Sequence, residues 1–179
     1  MRWNLDTTHS AVEFAVKHLM ISTVKGQFTT FTGKGETGAD GTIRSVELSI
    51  DAASINTNQA QRDEHLRSPD FFDVAKFPKL GFTSTKIEQK GIVVSITGNL
   101  EMHGVTKPVT LAGEATAPMT DPWGNQRIGL TASAKINRKE WGLHWNQLLE
   151  AGGVAVAEEV RLNVEVEAVG VKAEAMVAA

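Results

Sequence analysis

The sequence predicts an all-β domain of eight antiparallel strands with one short helical insertion. Three observations carry that prediction: apolar and polar residues alternate at a period of two through most of the chain, turn-forming dipeptides separate the alternating runs, and a single charged stretch, "RDEHLRSPDFFDVAKFP" at 62–78, breaks the pattern.

The alternation is clearest near the two ends. In "SAVEFAVKH" Val12, Phe14 and Val16 share one face and Glu13 and Lys17 the other, as in a strand with one side buried. "SVELSID" sets Val46, Leu48 and Ile50 against Glu47, Ser49 and Asp51, and "VRLNVEVEA" sets Val160, Leu162, Val164 and Val166 against Arg161, Asn163, Glu165 and Glu167. The same logic, more weakly, places strands in "KGQFTTFTG" near 25–33, "LGFTSTKI" near 80–87, "GIVVSITGNLEM" at 91–102, "PVTLAGEA" at 108–115 and "RIGLTASAKI" at 127–136. Asp40-Gly41 is a hairpin signal, Lys90-Gly91 marks a second tight turn, and "MTDPWGNQ" at 119–126 reads as a longer loop. Strands joined in this way are antiparallel neighbours. A sheet of this size removes its open edges by closing into a barrel or splitting into a sandwich, and periodicity does not choose between them.

In the insertion, Asn56 or Asn58 is placed to cap a helix running to Arg67, with Asp63 and Arg67 paired at i,i+4. Ser68 and Pro69 then open a second short turn carrying Phe71 and Phe72, and Pro78 ends it. With Phe77, this segment holds three of the seven phenylalanines.

The 179 residues suit one domain, read as 1–170 with a C-terminal tail at 171–179. A net charge of −3 with no basic stripe argues against nucleic acid, and no apolar run approaches the roughly 18 residues of a transmembrane segment. The absence of cysteine removes disulfides, thiolate metal sites and a cysteine nucleophile. The start "MRWNLDTTHS" lacks the pattern of a secretory signal, so the expected compartment is the cytoplasm as written, or the periplasm if the chain is a processed form.

No catalytic residue and no metal ligand set is expected. His9, His18, His65, His103 and His144 have no ligand spacing, there is no nucleophile elbow or P-loop, and "GKGETG" at 33–38 leads into a turn rather than a helix. Asp70 and Asp73 read as solvated or helix-end charges rather than a catalytic pair. Two aromatic segments each admit two uses. In "NRKEWGLHWN" at 137–146, Trp141 and Trp145 form either a packed corner with Arg138 or the mouth of a pocket. Phe71, Phe72 and Phe77 either cap the core or form a lid. An interior of small and medium apolar side chains with Gly26, Gly98 and Gly129 leaves room for one ligand within eight strands.

Four blocks, "LDTTHSAVEFAVKHLMISTVKGQFTTFTG", "RDEHLRSPDFFDVAKFP", "GNLEMHGVTKPVTL" and "INRKEWGLHWN", in that order, resemble the YceI-like family, the polyisoprenoid-binding proteins of bacteria, from about Trp3 to Ala168. The resemblance implies a lipocalin-like, extended eight-stranded antiparallel β-barrel with the insertion at 56–78 beside it. It implies carriage or storage of a long-chain polyisoprenoid, a prenyl phosphate or the side chain of an isoprenoid quinone, with a link to stress responses. It further implies a homodimer, and no cofactor other than the lipid ligand. The alternatives are an enzyme acting on an isoprenoid or quinone substrate within the barrel, and a ligand-free interaction module with a solid core.

On this reading the expected lining is Phe14, Val16, Phe28, Leu48, Ile50, Phe71, Phe72, Phe82, Val94, Ile96, Leu100, Leu130, Trp141, Trp145 and Val164. Arg138, Arg67 and Asn146, beside the aromatic segments, are the candidates for a headgroup. Each buried CH₂ of a prenyl chain is worth about 0.8 kcal/mol, so such a tunnel needs no polar anchor to bind tightly.

Overall fold

A computed structural model describes residues 1–150 and 152–171. Its strands are β1 (Arg2–Leu5), β2 (Ala11–His18), β3 (Ser22–Phe28), β4 (Phe31–Thr37), β5 (Ile43–Asp51), β6 (Ile55–Asn56), β7 (Lys79–Lys90), β8 (Val93–Met102), β9 (Val105–Ala115), β10 (Met119–Thr120), β11 (Gln126–Asn137) and β12 (Val156–Gly170). The only α-helix among the described residues is α1 (Ala60–Arg67). Residues 172–179 of the tail expected at 171–179 lie outside the described residues.

Why the sheet closes is visible in β12. One edge of this 15-residue strand pairs with β11, from Arg127↔Val169 to Asn137↔Glu159. The other edge pairs first with β2, up to Glu165↔Ala11, and then with β1, from Leu5↔Ala168 to Trp3↔Gly170. The ring β11-β9-β8-β7-β5-β4-β1-β12 is therefore a closed eight-stranded antiparallel barrel. All eight expected strands are present. The "KGQFTTFTG" strand is interrupted at Thr29-Thr30, so that β3 pairs with β2 and β4 with β1. A matching break at residues 6–10 separates β1 from β2. There Asp6 caps a tight turn, accepting from Thr8 N at 3.1 Å, while the Ser10 hydroxyl donates to Asp6 O at 2.7 Å.

These breaks make the two ends of the barrel different. At the β1 end Trp3, Ile43, Val94, Ile96, Ala115, Ile128 and Ala168 pack into a plug, and the Trp3 indole N–H donates to Thr37 Oγ1 at 2.9 Å. At the other end β3 turns aside to pair with β6 instead of continuing the ring. The insertion fills the space thus opened: Leu66, Phe72 and Val74 pack on the core, and the Phe72 ring meets Phe28 edge-on at 5.9 Å.

The insertion is built differently from the sequence expectation. Neither Asn56 nor Asn58 caps α1; Gln59 does, its side-chain oxygen accepting from Arg62 N. The Asp63–Arg67 pair does not form. Asp63 is buried and accepts from Thr57 N at 2.8 Å and Thr57 Oγ1 at 2.5 Å, whereas Arg67 donates to Ala53 O and Ile55 O at 2.8 and 3.0 Å. An exposed i,i+4 pair is worth only a few tenths of a kcal/mol, roughly 0.2–0.5, and satisfying buried polar groups outweighs it. After Ser68 the chain makes successive turns over the end of the helix, with Phe72 N donating to Leu66 O and Val74 N to Arg67 O, rather than a second helix.

Two of the glycines expected to leave space instead seat aromatic rings. A Cβ on Gly26 would lie 2.3 Å from Phe14 Cζ, and one on Gly98 would lie 2.4 Å from Phe82 Cζ. Gly129 donates its N–H to Thr116 Oγ1 at 2.8 Å and adds nothing to the interior.

Candidate functional site: an apolar cavity within the barrel

Between the plug and the insertion the barrel holds a cavity in which water-sized centres have about 250 Å³ to occupy. One water needs roughly 10–15 Å³ on the same measure, so this space is far beyond a packing defect. Its exposed wall is almost wholly apolar. The vacancy is also visible in the side chains: Val160, Leu162, Val164 and Val166 on β12, Val46 and Leu48 on β5, and Phe14 and Val16 on β2 all line the cavity yet stay only half-buried. In a filled barrel these positions would be core.

Twelve of the expected lining residues are brought together here: Phe14, Val16, Phe28, Leu48, Ile50, Phe71, Phe72, Phe82, Ile96, Leu100, Leu130 and Val164. Three are not. Val94, 1% exposed, points to the same side as Ile96 but one step nearer the β1 end, inside the Trp3 plug. Trp141 ends the turn Arg138–Trp141, which Asn137 caps and Gly142 terminates at φ +79°. That turn buries the indole among core side chains, its N–H donating to Leu100 O at 3.1 Å. Trp145 lies outside the wall, its ring against Phe71 at 5.2 Å and His65 at 4.8 Å. Phe77 packs on His103 rather than over the cavity.

The three headgroup candidates commit their donors to the backbone. Arg138 touches the cavity but is 4% exposed, and it donates to Leu143 O, Ala157 O and Val156 O at 2.6, 2.9 and 3.3 Å. Burial pulls its pKa below the ordinary arginine value, only partly offset by nearby Glu158. Asn146 imitates a strand, its amide donating to Val156 O at 2.7 Å and its oxygen accepting from Val156 N at 3.0 Å. Arg67 holds the β5–β6 connection on the outer face.

Sequence reasoning missed several wall residues. Val160, Leu162 and Val166 carried a usable signal, since they alternate in register with Val164. Leu66 did not, because α1 is polar on nearly every side; nor did Leu5, on a strand too short to show a period.

At the β1 end sits a polar cluster that no motif announced. Arg127 donates to Asp6 at 2.8 Å, to Asp121 at 2.9 Å and to Glu167. The guanidinium holds Asp121 down to about 2 and, with a second bond from His9, holds Asp6 well below the carboxylate range; the same contacts raise Arg127 itself. Asp6, His9 and Glu167 are close enough to share a cation, and the Arg127 guanidinium already bridges two of them.

A family model for the YceI-like domain matches residues 3–168. The protein YceI of Salmonella newport is 40% identical over 166 residues, which cover 90% of this chain and 82% of that protein. The crystal structure of the Campylobacter jejuni YCEI protein superposes with a TM-score of 0.74 at 29% identity, covering 87% of this chain and 90% of that one. A polyisoprenoid binding domain from Saccharophagus degradans shares the fold, with a TM-score of 0.68 at 19% identity over 93% of this chain and 97% of that one. The closed barrel and its insertion agree with these matches, and the chain belongs to the YceI-like domain family.

Proposed function

We propose that the barrel binds a long-chain polyisoprenoid, a prenyl phosphate or the side chain of an isoprenoid quinone, along its cavity, for carriage or storage and without chemical change. The observation that carries this reading is the half-buried inner face of β12: Val160, Leu162, Val164 and Val166 line the cavity, and the protein atoms packed against them leave their burial incomplete. A hydrocarbon guest completes that burial, contributing about 0.8 kcal/mol for each CH₂ taken from water. Affinity then grows with chain length, and the apolar wall suits a branched hydrocarbon better than a polar metabolite. The polyisoprenoid-binding description of the Saccharophagus degradans neighbour supports the ligand class. On this reading the headgroup stays outside the cavity, in contact with solvent, and the hydrogen bonds of Arg138, Arg67 and Asn146 to backbone carbonyls support it.

The test is organic extraction of the purified protein followed by mass spectrometry. The expected result is a stoichiometric lipid whose homologues differ by one isoprene unit. A protein that yields no lipid, and that after delipidation fails to take up a radiolabelled prenyl phosphate, would not be an isoprenoid carrier.

A further inference from the structure

The β2–β3 turn ends in three aliphatic side chains with nothing packed over them. Met20 is 70% exposed and Ile21 80%, with Leu19 beside them. Leu19 and Met20 have φ of +52° and +59°, and Ile21 N donates to His18 O at 3.0 Å to close the turn. Bulky residues are disfavoured in this left-handed region, where Asn and Gly serve a hairpin better. The chain thus keeps two large apolar side chains at a conformational cost, in a place where they add nothing to the core.

A second loop adds to the same tip. Leu148 is 84% exposed, and its loop is tied to the hairpin: Leu19 N donates to Ala155 O at 2.8 Å and Ala155 N to Gln147 O at 2.9 Å. Charge on the hairpin is one-sided. No carboxylate occurs between Glu13 and Glu36, while Lys17 and Lys25 are exposed and make no ion pair among the described residues. The tip also stands at a defined end of the cavity: Val16 lines the cavity, and His18 pairs with Val156, which lines it too. This is the end opposite the Trp3 plug.

We propose that Leu19, Met20, Ile21 and Leu148 insert into the surface of a lipid bilayer, with Lys17 and Lys25 set against anionic headgroups, and so seat the cavity's insertion end on a membrane. Aliphatic tips flanked by lysine match the interfacial region of a bilayer, where apolar groups reach the acyl boundary and cations meet anionic lipid. What passes between membrane and cavity rests on the proposed function; the docking does not, and it is measured without reference to cargo.

Co-sedimentation with vesicles of phosphatidylcholine and phosphatidylglycerol tests the proposal, comparing the parent with Met20→Asp/Ile21→Asp, with Lys17→Glu/Lys25→Glu, and with Trp123→Ser as a control for an exposed apolar residue at the plug end. The parent and the control are expected to pellet with the vesicles, and each double variant to lose roughly tenfold or more in partition while keeping its circular dichroism spectrum. Parent protein that stays in the supernatant overturns the proposal, as does a Met20→Asp/Ile21→Asp protein that pellets like the parent. Light scattering distinguishes the other occupant: a dimer that dissociates in Met20→Asp/Ile21→Asp, with no vesicle binding by the parent, makes the tip a contact between copies of the chain and also overturns it. Lipid extraction from the same preparations reports on cargo separately, so failure of docking and failure of carriage give different results.

Discussion

Filling the cavity from its own wall is the most direct perturbation, and Val164→Phe does so. Val164 faces the cavity from β12 and is half-buried, so a phenyl ring grows into vacant space. Four additional carbons removed from water contribute up to about 3 kcal/mol at about 0.8 kcal/mol each. Adjustment of neighbouring rotamers costs about 1–3 kcal/mol, as in other overpacked sites. The two terms largely offset, and the lipid-free protein should be unchanged or stabilised by up to about 2 kcal/mol. The same change at Val94, which is 1% exposed in the Trp3 plug, has the steric cost without the vacancy and should lose roughly 1–3 kcal/mol. Both are read as shifts in urea midpoint at constant slope. Delipidated protein is essential, because a ligand bound only to the folded state adds its own stabilisation and would mask the comparison. Extraction and mass spectrometry of undelipidated Val164→Phe should show much less lipid per protein than the parent. If Val164→Phe proves as damaging as Val94→Phe, the wall is packed core and the vacancy is wrong; if the lipid content is unchanged, the cavity is not where the lipid lies.

Three further outcomes follow from the geometry. Asp121, held down to about 2 from an ordinary 3.8, favours the folded state above its unfolded pKa, so the urea midpoint should decline as pH falls from about 5 towards 2, and Asp121→Asn should flatten that decline. Arg138→Met should cost about 3 kcal/mol or more by leaving the carbonyls of Leu143, Ala157 and Val156 without their donor, while the lipid content of the folded fraction stays at the parent level by extraction; a selective loss of phosphorylated lipid would instead assign Arg138 a headgroup. Phe72→Ala, half-buried against Phe28 at the insertion end, should lower the lipid content and speed lipid loss in a chase experiment, with the β-sheet circular dichroism signal unchanged; global unfolding would show that Phe72 is core in the ordinary sense.

How far the sequence spoke follows from what period two encodes. It reports which way a side chain points, and so Val12, Phe14 and Val16, or Val160 to Val166, could be assigned to the inner face without knowing the barrel. It does not report how far away the opposite wall stands. Val94 and Ile96 are equivalent by alternation and both belong to the plug, yet only Ile96 also borders open space, a distinction that depends on where Trp3 arrives from β1, a strand too short to show a period. Closure likewise depends on β12 pairing at both edges, a long-range fact carried by the family resemblance and not by local pattern. Aromatic neighbours mark Arg138 and Arg67 in the sequence, but their partners are backbone carbonyls, and no residue type marks where a carbonyl will be left over. The Arg127 cluster was hidden for a similar reason: Asp6, Asp121, Arg127 and Glu167 meet only once β1, the β10–β11 loop and β12 converge.

A barrel that leaves its centre vacant forgoes the contacts that stabilise an ordinary core, so cohesion has to come from elsewhere, and this chain concentrates it at the ends and in the walls. One end carries both the Trp3 plug and the Arg127 cluster, which joins three separate segments through one guanidinium. In the wall, the rings of Phe14 and Phe82 pack against Gly26 and Gly98, which covers backbone that would otherwise be bare. At the other end the insertion contributes Leu66, Phe71 and Phe72 from a segment with few partners of its own, α1 being polar on its remaining faces. Stability and access are thereby separated. The plug end has little reason to open, whereas the insertion end is held by one short helix and a series of turns, the low-stability kind of element from which opening motions are drawn. Entry and exit of a long hydrocarbon therefore belong at the insertion end, the same end that carries the exposed Leu19-Met20-Ile21 turn.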